Sequence, residues 1–140
     1  MATHASRDTS TGLLFEDRVQ MKKIGKDLSK HALYRFLNDN GIDWKMLISK
    51  KLLPDEAYYD ATNNRVVIYE KKYQQTAGSA DEKPQTCAFK IHEFKKLFSA
   101  LGIIDVSYIY VFNDWFKKPE YADMLDYIKS VDGCDYLFAE

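Results

Sequence analysis

A chain of 140 residues with 46% hydrophobic and 14% aromatic side chains has the size and composition of one globular domain with its own core, which excludes a disordered or fibrous class. No apolar run approaches the roughly 20 residues of a membrane helix, the longest being Tyr108-Ile109-Tyr110-Val111-Phe112, and Cys87 and Cys134 lack the spacing of a zinc site or a disulfide framework. The net charge of −1 hides blocks of opposite sign: residues 18–51 carry nine Lys/Arg against three acids and 71–96 six against three, whereas 52–70 hold four acids and one Arg, and 105–140 eight acids and three Lys.

Along the chain, residues 1–11 are small and polar with no apolar segment. They read as a loose tail ahead of a single domain over 12–140, without a secretory signal and in a cytoplasmic setting. Residues 12–26 have helical composition with Leu14, Val19 and Ile24 apolar, and Leu33, Phe36 and Leu37 recur at i, i+3, i+4 before Gly41. Two helices, or one kinked helix, fit. Residues 43–53 place Trp44, Met46, Ile48 and Leu52 two or four apart, which predicts a strand. Over 54–73, β-favouring residues flank the turn-forming cluster Ala61-Thr62-Asn63-Asn64, which predicts a β-hairpin. Gly78-Ser79 with Glu82 resembles a helix-opening capping box, with Pro84 moving the first turn later. Cys87, Ile91, Phe94, Phe98 and Leu101 then keep helical spacing up to a stop at Gly102. Residues 106–113 are apolar and β-rich, as in a strand covered on both faces. Pro119 opens a second amphipathic helix with Tyr121, Met124, Leu125 and Ile128 on one stripe, ending near Gly133, and 136–138 form a last short strand. The order helix, three strands, helix, strand, helix, strand predicts an α/β fold with a central mixed sheet and helices on both faces.

The hairpin brings chemistry together. Facing residues of a hairpin have constant summed numbers, so a four-residue loop at 61–64 sets Asp55 opposite Glu70, and a two-residue loop at 63–64 sets Asp55 opposite Lys72. Either way side chains alternate, so Asp55 shares a face with Glu70, Lys72 and Gln74, while Asp60 falls on the other. Two carboxylates opposed at roughly 5 Å repel, and a divalent cation relieves that by neutralising both. Oxygen ligands without a His or Cys cluster favour Mg²⁺, with Mn²⁺ as a substitute, over zinc. A lysine beside such a site can position a water nucleophile or stabilise charge developing on phosphorus, which is the chemistry of phosphodiester hydrolysis. A structural ion pair on a solvated strand uses the same residue types.

Asp55, a fifteen-residue hairpin, then Glu70-x-Lys72, with Gln74 beyond and the Gly78-Ser79 and Glu82-Lys83 elements leading into a helix, resembles the PD-(D/E)XK nuclease superfamily of restriction endonucleases, junction resolvases and phage exonucleases. The element order is similar to that family's αβββαβ core over most of 12–140. The resemblance implies that Asp55 and Glu70 are metal ligands helped by the backbone carbonyl of Lys71, and that Lys72 is the catalytic lysine. It also implies that Gln74 orients water or contacts DNA, with Lys83 and Lys90 as further DNA contacts. Glu16, on the first helix, resembles the acid that some members place near a second metal. The implied protein is a Mg²⁺-dependent DNA endonuclease of a restriction, phage or mobile-element kind, and cleaving both strands implies a homodimer or partner subunit. A junction-specific, resolvase-like nuclease and a non-catalytic DNA-binding module on the same fold are the competing readings. His31 and His92 lack a partnered Ser or Cys, and no Gly-rich phosphate loop occurs, so triad chemistry and NTP hydrolysis are not expected.

Overall fold

The computed structural model describes residues 3–75 and 84–139, with side chains from residue 12 onward. Its elements in chain order are α1 (Thr3–Ile24), β1 (Lys26–Asp27), α2 (Ala32–Asp39), β2 (Glu56–Asp60), β3 (Arg65–Lys72), α3 (Cys87–Ser99), β4 (Asp105–Phe112), α4 (Ala122–Ser130) and β5 (Cys134–Phe138). Short 3-10 turns lie at Trp44–Met46, Pro84–Thr86, Asp114–Lys117 and Pro119–Tyr121. The five strands form one mixed sheet in the order β1-β2-β3-β4-β5. The first three are antiparallel, and β3, β4 and β5 run parallel. Parallel neighbours need a crossover connection, and α3 and α4 supply the two that are required.

Strand alternation divides the core in two. Ala57, Val66, Ile68, Val106, Tyr108, Tyr110, Phe112 and Tyr136 face α2, α3 and α4, whereas Tyr58, Val67, Tyr69, Ile109, Val111 and Leu137 face Met21, Leu14 and Phe15 of α1. The two middle strands are therefore apolar on both faces, as the sequence of 106–113 predicts. A ladder of rings, Phe94–Tyr108–Tyr110–Phe112–Phe116, with centroids 5.9, 5.3, 5.5 and 4.5 Å apart in turn, fills the three-helix side. At the close of α3, Gly102 takes φ +78, its N–H bonds Ser99 O at 3.0 Å and the N–H of Ile103 bonds Phe98 O at 3.0 Å. That pairing is a Schellman closure, which puts a glycine where the left-handed region is needed.

One expectation is corrected. The segment 43–53 is not a strand: Asp43 Oδ1 accepts from the N–H of Lys45 at 3.1 Å and starts the 3-10 turn Trp44–Met46. The Tyr34 hydroxyl donates to Leu52 O and accepts from the N–H of Leu52 at 2.9 Å. The apolar spacing of this stretch is spent on packing Trp44, Ile48 and Leu52 against the core from a loop that the Tyr34 hydroxyl of α2 anchors. The third strand of the meander is instead β1, two residues long, where Lys26 and Asp27 face Tyr59 and Tyr58. The helix α1 itself begins at Thr3.

At Gly25, between α1 and β1, an added Cβ would stand 2.7 Å from Met21 O and 2.8 Å from Tyr58 Cβ. The chain turns from helix to sheet so closely that only glycine fits. The capping-box residues 78–82 and Lys83 lie outside the described residues.

Candidate active site

The hairpin adopts the four-residue loop. Asp60 pairs with Arg65 and Glu56 with Tyr69, a register that continues to Asp55 opposite Glu70. Asp60 itself builds the turn: Oδ1 accepts from the N–H of Thr62 at 3.1 Å and of Asn63 at 3.3 Å, and Oδ2 accepts from Asn63 Nδ2 at 2.8 Å. It sits on the α1 side with Arg65, whose guanidinium also clamps Asp17 at 2.7 and 3.1 Å. Asp60 is thus a structural carboxylate, and Asp55 is the one that meets Glu70.

Asp55 and Glu70 touch. The N–H of Asp55 donates to Glu70 Oε1 at 3.4 Å, and Asp55 Oδ2 accepts from the N–H of Lys71 at 3.0 Å. Glu70 follows Val66 and Ile68 onto the three-helix face and pairs across β3 and β4 with Tyr110. It is buried, and burial, followed by a hydrogen bond to Asp55 and the charge of that residue, pushes its carboxyl from 4.5 up to about 7, against a pull from Lys72. Burial acts in the same direction on Asp55, but hydrogen bonds from Lys30, Glu70 and the Lys71 amide outweigh it and hold that carboxyl below its ordinary 3.8. The two carboxyls are thus driven apart, Glu70 up and Asp55 down, and Glu70 is the one of the pair that takes a proton first as pH falls. Lys72, half-buried, lies two residues beyond Glu70 on the same side of β3.

Lys30 is a member of the cluster that the sequence did not reveal. Its Nζ lies 2.7 Å from Asp55 Oδ1. Its N–H donates to Pro54 O at 2.8 Å, and its backbone takes φ +52, a left-handed conformation that aims the loop before α2 at the hairpin. The contact spans 25 positions, and its only advance sign is membership of the basic block.

The other predicted residues are placed as follows. Lys71 reaches the pair through its backbone amide, while its Nζ stands 3.4 Å from Glu56 Oε2 on the opposite side. Glu56, also missed in the sequence, is buried and receives a two-pronged contact from Arg18; burial raises its carboxyl, and Arg18 more than reverses this, leaving it below 4.5. Gln74 lies past the end of β3, where the Asn113 side chain bridges its backbone, accepting from N–H at 3.2 Å and donating to O at 2.7 Å. Those bonds extend the β3–β4 pairing beyond the strands. Lys90 is half-buried one turn into α3. Glu16 is exposed on α1, the helix of the opposite face, and is not brought to Asp55 and Glu70. Among the described residues no group of three or more His, Cys, Asp or Glu side chains is set to hold one metal ion. The carboxylates that the hairpin brings together are those of Asp55 and Glu70. Tyr58 and Tyr69 are buried, whereas Tyr73 is exposed.

Compared with protein-family models, curated proteins and solved structures, the chain finds no match. No described helix is long and apolar enough to cross a membrane.

Proposed function

We propose that this protein is a metal-dependent phosphodiesterase acting on nucleic acid, a nuclease with Asp55, Glu70 and Lys72 as its active residues on a restriction-endonuclease-like αβββαβ core. The observation that carries the reading is geometric: Asp55 and Glu70 are opposed and in contact, with Lys72 two residues further along the same side of β3. The donor set suits a hard cation, since it is all oxygen and a cation would relieve the repulsion that, with burial, raises the Glu70 carboxyl. Mg²⁺ or Mn²⁺ held by Asp55 and Glu70 would supply positive charge against a phosphate oxygen and a lowered pKa for a bound water.

The chain's own residues do the rest. Asp55 is kept ionised by Lys30 and the Lys71 amide. Lys72 offers an ammonium for the water nucleophile or for charge developing on the phosphate. The parallel strands β3, β4 and β5 present their carboxyl ends near Lys72 and Gln74, the place where open α/β sheets receive ligands. One such centre cuts one strand, so cutting a duplex would bring in a second copy or a partner subunit.

A second reading rests on one contact. Lys30 already satisfies Asp55 Oδ1, as it would in a nucleic-acid-binding module that keeps the fold without the chemistry. Nicking of supercoiled plasmid, with Mg²⁺, with EDTA, and with Glu70→Gln and Lys72→Ala proteins purified alongside wild type, separates the two. Mg²⁺-dependent nicking lost in both variants supports the nuclease. Folded wild type that leaves plasmid, junction and RNA substrates intact in Mg²⁺ and in Mn²⁺ sinks it and favours the module.

A further inference from the structure

A cavity of about 570 Å³ opens between α2 and the loop that follows it. The wall from α2 includes Tyr34 and Arg35, and the loop contributes Trp44, Lys45 and Lys51. Its three cations, Arg35, Lys45 and Lys51, form no ion pair among the described residues. Asp43, the acid of the lining, has Oδ1 engaged by the N–H of Lys45. With three cations against one acid, the cavity is a basin for an anion.

Its second feature is aromatic. The rings of Tyr34 and Trp44 meet edge to face at 5.8 Å, and Lys51 Nζ lies 4.7 Å from the first ring centroid and 5.6 Å from the second. A phosphate drawing the ammonium aside would uncover ring surface beside it, which is the arrangement that receives an unstacked base. The volume is that of a small-ligand pocket, and paired bases present no free face to such rings. The cavity is also tied to the carboxylates by two short links. His31 in its wall follows Lys30, the residue on Asp55, and Lys51 leads within four residues to Asp55 through Leu52, which is bonded to the Tyr34 hydroxyl.

We propose that this cavity is a subsite for an unpaired nucleotide of the strand presented to Asp55 and Glu70, its base against Trp44 and Tyr34 and its phosphates on Arg35, Lys45 and Lys51. The substrate class is then nucleic acid with a single-stranded segment beside the cut, a statement that rests on the nuclease reading. The test is binding in EDTA, so that no cleavage occurs. The chain has two tryptophans, and in a Trp115→Phe background Trp44 alone reports.

A short oligothymidylate should quench Trp44 fluorescence. An Arg35→Ala/Lys45→Ala protein should bind it about tenfold more weakly, with the slope of log affinity against log salt shallower by about 1.4, two contacts at 0.7 each on a single strand. A blunt hairpin duplex should lose less. Equal losses for oligothymidylate and duplex, or no quenching and no loss, overturn the subsite. If the single-strand preference and quenching hold while plasmid nicking fails in Mg²⁺ and Mn²⁺, the subsite stands and the nuclease reading falls.

Discussion

Replacing Glu70 with glutamine should stabilise the fold in a way that depends on pH. Glu70 is buried against the sheet and its carboxyl is raised from 4.5 to about 7 by burial and by Asp55. The folded chain therefore holds this proton more tightly than the unfolded chain does. Stability from that source is fully present below 4.5 and is lost as pH rises through about 7. Over that interval, at 1.36 kcal/mol per pH unit, the loss is about 3 kcal/mol. Glutamine keeps the shape and a donor for Asp55 and has no proton to release. Glu70→Gln and wild type should then unfold at similar urea concentrations near pH 5, and the variant should be ahead by about 3 kcal/mol at pH 8, both in EDTA. Millimolar Mg²⁺ should narrow the gap at pH 8, because a cation on the ionised pair stabilises wild type alone. A gap that is the same at pH 5 and pH 8 would refute the raised Glu70 carboxyl.

Four further outcomes follow from neighbouring contacts. Arg18→Ala should cost about 2 kcal/mol in urea unfolding at neutral pH, since it leaves the buried Glu56 carboxylate with the Tyr58 hydroxyl and the half-exposed Lys71 ammonium as partners; because that carboxyl is held below 4.5, the cost should shrink as pH falls below that value, and an unchanged cost at pH 3 would contradict the pairing. Lys30→Ala should change the unfolding free energy by no more than about 1 kcal/mol, its pair with Asp55 being half exposed, while lowering the Mg²⁺ concentration for half-maximal nicking, because the Lys30 ammonium competes with a cation for Asp55 Oδ1; a higher requirement would contradict that competition. Gly25→Ala should destabilise by about 1–3 kcal/mol through contact with Met21 O and Tyr58 Cβ, read as a drop in thermal midpoint. Cys87 and Cys134 are free and buried, so a thiol reagent should count none in the native protein and two in urea; a native thiol that reacts at once would contradict their burial.

Short-range patterns carried much of this fold. The hairpin was legible because Ala61-Thr62-Asn63-Asn64 stands between β-favouring runs, and its alternation placed Asp55 with Glu70 and excluded Asp60 before any coordinates. Likewise α3, its stop at Gly102, the twice-covered β4 and the Met124, Leu125, Ile128 stripe of α4 are written in short spacings, although Pro119 opens a 3-10 turn and α4 itself starts at Ala122. What failed was also local. Trp44, Met46, Ile48 and Leu52 mimic a strand, and only the Tyr34 hydroxyl on Leu52, eighteen positions away, explains why the segment packs as a loop.

The chain alone therefore determined the mixed α/β class and the shared face of Asp55 and Glu70, because both follow from periodicity within about twenty residues; the four-residue loop that sets the two opposite each other was decided by the structure. Tertiary structure decided the partners. β1 exists because Gly25 lets the chain pass against Tyr58, and two residues carry no pattern to read. Lys30 reaches Asp55 over 25 positions and Arg18 reaches Glu56 over 38. Cys134 comes within 3.7 Å of Cys87 O over 47. Each depends on which elements the packed sheet brings side by side, and contacts at that range are set by burial of the whole apolar surface rather than by the residues that finally touch.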